Sequence, residues 1–147
     1  MNFQYANNPK WANRSNTKID LTVRFVGMDE DLPFTADPND TEAHGRDIYA
    51  RAVTGEFGTV SAFDPIAPTV EEVSNAVRSK RDSLLAASDW TQLPDVPDAV
   101  KSEWATYRQA LRDFPQQDEF PWYETAVVET DYGFNIDLSG IQFPESP

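Results

Sequence analysis

A chain of 147 residues with 12 Lys plus Arg against 25 Asp plus Glu, a formal net charge of −13, has room for one domain or two very small ones. Such an acidic balance excludes groove-tracking on nucleic acid and adhesion to an anionic membrane, because both need a surplus of cations facing phosphate. The lack of cysteine removes disulfides, thiolate metal sites and thiol nucleophiles, and a single histidine, His44, removes every site that needs two.

Charge is unevenly spread. Residues 1–18 hold Lys10, Arg14 and Lys18 and no acid, which predicts a charged N-terminal arm. The opening MNFQYANNPKWANR lacks the apolar core of a signal peptide and no long apolar run follows, so a soluble protein made in the cytosol is expected. Ile19, Leu21, Val23 and Phe25 alternate with polar residues, the period of a half-buried strand. Residues 27–31 read as a turn and residues 32–36 as a return strand, held to a sheet edge because Pro33 has no amide donor. A helix is expected from about Thr41 to Thr54, with Ile48, Tyr49, Ala52 and Val53 buried and Gly55 as its stop. Residues 59–63 complete a small β-β-α-β unit over 19–64 as a third strand.

Two prolines in Asp64-Pro65-Ile66-Ala67-Pro68 stiffen a connector. Thr69 then caps a helix, with Glu72 three residues on in capping-box spacing, and Val70, Val73, Val77 and Leu84 give it an apolar face. Residues 88–97 reverse the chain. A second helix follows from Asp95 or Pro97, with Val100, Trp104, Tyr107, Leu111 and Phe114 in one stripe, and Pro115 ends it. The face around Val73 and Val77 is expected against Trp104, Tyr107 and Leu111, making an antiparallel helical hairpin over 69–115. From Asp113 onward there are eight acids and no base, and the short clusters Phe120-Trp122-Tyr123, Val127-Val128, Phe134-Ile136-Leu138 and Ile141-Phe143 predict an extended acidic tail over 116–147. The expected fold is therefore α+β, in the order arm, β-β-α-β unit, hairpin and tail.

Chemistry is sparse. His44 has Asp40 and Asp47 nearby in sequence, but no nucleophile accompanies it; there is no Gly-x-Ser-x-Gly elbow, no phosphate loop and no EF-hand spacing. No catalytic residue, metal site or cofactor is expected. The informative side chains are Trp90, Trp104, Tyr107 and Trp122, large rings that either fill a small core or anchor an interface. Trp104 reads as core, and Trp90 stays open between core and partner.

The run from Arg78 to Pro115 resembles the C-terminal helical module of phage tail assembly chaperone proteins, often grouped with tail fibre assembly proteins. The resemblance rests on Arg81-Asp82, Leu84-Leu85, Asp89-Trp90-Thr91-Gln92, Trp104, Tyr107-Arg108 and Leu111-Arg112-Asp113 before Pro115, and it covers 38 residues. The runs KIDLTVRF and PFTADPNDTEAHGRDIYARAVTGEFGTV are similar to leading domains joined to that module in phage proteins. Family members end in a Phe-Pro or Trp-Pro signal soon after the second helix; here Phe120-Pro121 takes that place, and a second pair, Phe143-Pro144, departs from the pattern.

The resemblance implies a non-enzymatic protein that binds a tail fibre or other tail protein stoichiometrically during morphogenesis in the host cytoplasm, with retention in the virion in some relatives. A permanent virion component, such as a tail, collar or fibre adaptor, is the alternative, and an enzyme trimming or binding glycan through its carboxylates is the other rival. Self-association is open; nucleic acid and membrane are not expected partners. Arg81, Trp90 and Arg108 around the hairpin corner are the expected contacts, since aromatic and Arg anchors dominate interfaces. Their competing role is internal, with Arg81 or Arg108 clamping Asp89 or Asp113. Trp122, Tyr123 and Phe143 are expected to dock with the tail onto a neighbour, by strand addition and charge.

Overall fold

The alternating strand is the middle one of three. In the computed structural model, which describes residues 2–147, β1 (Phe3–Trp11), β2 (Ile19–Phe25) and β3 (Leu32–Ala36) form an antiparallel sheet in the order β1-β2-β3. Hydrogen-bonded on both sides, β2 buries Ile19, Leu21, Val23 and Phe25, which form a core with Ala6, Ala36, Ile48 and Ala52. Pro33 lies opposite Thr22 in the edge strand β3, where its missing N–H breaks no ladder. Helix α1 (Ala43–Val53) covers the inner face with Ile48 and Ala52; Val53, expected inside, is 51% exposed. Gly45 is required where α1 passes Asp40, because a Cβ there would lie 2.0 Å from the Asp40 Oδ2.

Two expectations fail here. The segment read as a charged arm is strand β1, and residues 59–63 form no strand but a single parallel bridge between Lys10 and Ser61. In that bridge the Trp11 N–H donates to the Ser61 carbonyl and the Ser61 N–H to the Pro9 carbonyl, each at 2.9 Å. The unit is thus β-β-β-α. Asn7, Asn8, Pro9 and Lys10 are poor strand formers, and their conformation comes from pairing with β2; the pairing register shifts between Asn7 and Lys10, beside Asn8 at φ 53°.

The chain divides into two units: Met1–Ile66 with Thr130–Gly133, and Ala67–Glu129 with Phe134–Pro147. In the first, the loop after β1 folds around Asn13, which is fully buried. Its carboxamide nitrogen donates to Ser15 Oγ (2.9 Å), Thr17 Oγ1 (2.7 Å) and Asp131 Oδ2 (2.8 Å), and its oxygen accepts from the Thr17 and Lys18 amides. Asp131 also accepts from the Ser15 N–H and Oγ–H. The Ser15 backbone donor is the main reason the Asp131 carboxyl titrates below its ordinary value, with the Ser15 and Asn13 side chains and Arg14 adding to it. Replacing Asn13 by Ala strands several of these groups at once and is expected to cost about 2–4 kcal/mol in urea unfolding. A depressed carboxylate stabilises the fold above its unfolded value and loses that contribution as pH falls through its folded value. Asp131→Asn is therefore expected to flatten the acid limb of stability, read as melting temperature against pH below about 4.

In the second unit, α2 (Val70–Ala87) begins with the capping box: Thr69 Oγ1 accepts from the Glu72 N–H, and the Glu72 carboxylate accepts from the Thr69 N–H at 2.7 Å. Helix α3 (Asp98–Asp113) follows a 3-10 turn at Asp89–Gln92 and runs into a second one at Phe114–Gln116. Beyond it come α4 (Tyr123–Ala126), β4 (Val127–Thr130) and β5 (Gly133–Ile136), the last two paired in a two-stranded sheet.

The tail expected to extend is folded. Val73 and Val77 of α2 pack in one core with Phe114, Ala126 and Ile141, bordered by Phe120, Trp122, Tyr123, Val127, Ile136, Leu138 and Phe143. Val70, assigned to that face by spacing, is 58% exposed. For Val73 and Val77 the expected packing on Trp104, Tyr107 and Leu111 is replaced by packing on residues beyond 113, since those clusters hold the apolar area that the two valines need. The acids between the clusters, among them Asp118, Glu124 and Asp137, remain at the surface.

Candidate interaction surface

The corner between α2 and α3 is fixed by hydrogen bonds. Ser88 ends α2, with its hydroxyl donating to the Leu85 carbonyl at 2.8 Å, and the Thr91 hydroxyl donates to the Ser88 carbonyl at 2.7 Å. Ser88 and Thr91 are both buried. From α3, Arg108 reaches into this turn: Nη1 donates to the Leu85 carbonyl (2.8 Å) and Ser88 Oγ (2.6 Å), and Nη2 donates to Asp89 Oδ1 (2.8 Å). One guanidinium therefore joins the last turn of α2, its cap and the next residue, a planar fork of donors that lysine cannot copy.

On this turn stand three rings. Trp90 meets Trp104 edge to face at 5.5 Å between centroids, and Trp104 meets Tyr107 in the same way at 5.6 Å. The series passes from buried Tyr107 through half-buried Trp104 to Trp90, which is 50% exposed, and Leu93 is 52% exposed in the loop that follows. Asp89, Asp95 and Asp98 are exposed in the same stretch. The hydrogen-bonded turn thus carries an indole and a leucine in water, bordered by carboxylates.

The expected contact residues fall into separate places. Trp90 is at the surface. Arg108 is buried and makes the internal clamp to Asp89 that was its competing role. Arg81 is half-buried and paired with its neighbour Asp82 at 2.6 Å. Trp122 and Phe143 stack with Phe114 at centroid distances of 4.5 and 4.6 Å, and the Tyr123 hydroxyl donates to the Pro68 carbonyl at 2.6 Å. These last three, expected on a neighbour, are engaged with their own unit. Leu93 was missed, because a lone leucine before a proline carries no periodic signal.

His44 packs edge to face on Phe25 at 5.6 Å, with a buried Nδ1 that has no partner. No group of three metal-ligating side chains occurs among the described residues, and no helix there is long and apolar enough to cross a membrane.

Comparison with known families gives one match: a model described as phage tail assembly chaperone protein covers residues 74–147, half of the chain. The chain belongs to this family, which places its work in phage tail assembly. The match takes in all of α3, the aromatic corner and the folded C-terminal segment. No curated protein and no solved structure matches the chain.

Proposed function

We propose that this chain is a non-enzymatic assembly factor that binds a tail fibre or other tail protein in the host cytoplasm, presenting the α2–α3 corner as a helical hairpin tip. The observation that carries this reading is Trp90, half in water on a turn held by the buried Ser88, Thr91 and Arg108, inside the segment that matches the family. Exposed indoles on rigid supports bury a large area at little conformational cost when a partner arrives. Arg108 serves the corner from within, as a positioning group.

The test is co-expression with the neighbouring tail fibre protein followed by size-exclusion chromatography and calorimetry. Trp90→Ala is expected to weaken the complex at least tenfold, about 1.4 kcal/mol, with little change in the melting temperature of the free protein. Undiminished binding would remove the corner from the interface. Fixed stoichiometry in purified particles would instead make the protein a permanent virion component.

A further inference from the structure

A second surface lies on the other half of the family segment. Residues 119–125 surround a depression of about 510 Å³ whose walls are the rings of Phe120, Trp122 and Tyr123 and whose rim carries Glu119 and Glu124. Both carboxylates are exposed, and the three rings are half-buried. Trp122 holds a left-handed backbone at φ 56° and ψ 44°, rare for a bulky residue, and its indole N–H donates to Glu119 Oε2 at 3.0 Å. Core stacking on Phe114 and this bond fix the wall and the rim relative to each other.

We infer that this depression receives a lysine or arginine side chain from the tail protein, a contact that rests on the proposed function and adds a site separate from the corner. The chemistry selects the occupant. An apolar anchor would press against two carboxylates and strip their water without replacing it. A cation with an apolar stem satisfies both features: the stem lies on the rings, and the charge meets the ring faces and the carboxylates. The protein already contains such a contact, with the Arg78 guanidinium 4.8 Å from the centroid of the Phe120 ring. A second copy is a poor occupant, because each copy carries −13 and the stretch from Asp113 to Pro147 contains no base.

The experiment titrates the isotope-labelled full chain with a capped pentapeptide carrying two arginines, and with its two-glutamate counterpart, observing backbone amides. The arginine peptide is expected to shift residues 119–125 in a saturable manner, and the glutamate peptide to leave them unmoved. Glu124→Lys is expected to weaken the arginine peptide at least fivefold, whereas the pair Asp29→Asn and Glu30→Gln changes its affinity less than twofold. Glu119→Gln, which spares the indole bond an acceptor, is expected to fall between. Shifts scattered over all acidic segments, or equal losses in both sets of variants, would overturn the site in favour of general attraction to a negative surface. The titration contains no tail protein, so its failure is distinct from failure of the corner, which Trp90→Ala reads separately.

Discussion

Replacing Phe114 by alanine is expected to destabilise the second unit by about 3–5 kcal/mol, more than a core of this size can lose and remain folded. The ring is 1% exposed and stacks with both Trp122 and Phe143, so its removal leaves a cavity whose walls come from two distant parts of the chain. Neither wall can collapse easily: Trp122 is tied through its indole to Glu119, and Ile141 beside Phe143 is itself buried. Differential scanning calorimetry should show the second unit melting much earlier in the variant. Deleting residues 118–147 should go further and abolish that transition, since Val73 and Val77 would then face water. A truncated protein with the original melting profile would show that this segment contributes nothing to the core.

Arg108→Ala is expected to cost about 2–4 kcal/mol, through loss of charged hydrogen bonds to a buried turn and loss of stem packing. The three acceptors belong to consecutive parts of one corner, so the variant loosens the whole platform under Trp90. Arg108→Lys should recover little, because one ammonium cannot span the Leu85 carbonyl, Ser88 Oγ and Asp89 together. The reverse substitution is milder. Asp89 is 68% exposed, so Asp89→Asn keeps an acceptor, loses only a screened attraction, and should change stability by less than about 1 kcal/mol. Chemical denaturation of the three variants would display this asymmetry; equal losses for Arg108→Ala and Asp89→Asn would show that the ion pair, rather than the turn, is what matters. Partner binding should fall with stability for Arg108→Ala, whereas Trp90→Ala separates the two.

Local signals in the sequence identify local structure. The alternation from Ile19 to Phe25, the proline that sends residues 32–36 to an edge, the Thr69–Glu72 cap and the aromatic stripe of α3 are each written within a few residues, and each has its counterpart in the fold. What escaped is held by distant partners. Strand β1 contains Asn7-Asn8-Pro9-Lys10, which no propensity would place in a sheet; β2 supplies the reason. The clusters after Pro115 have no period because α4, the short β4–β5 pair and the final segment each approach the core once and then turn away. Asn13 and Asp131 have no local mark of their association. At the site, the Asp-Trp turn and Arg108 were both visible, but sequence could not say whether the arginine points into the corner or out of it. Burial decides that question, and burial depends on the whole unit.

The bond between Asn13 and Asp131 spans 118 positions, which has a meaning for a chain made from one end to the other. As the protein leaves the ribosome, the strands and α1 of the first unit are available early, with neighbours close in sequence and little loop entropy to overcome. The loop at residues 12–17 must wait with its buried carboxamide incompletely satisfied until residue 131 has emerged. Closure of this loop thus reports that the chain has been made at least as far as residue 131, and a chain that stops earlier is left with an open polar loop.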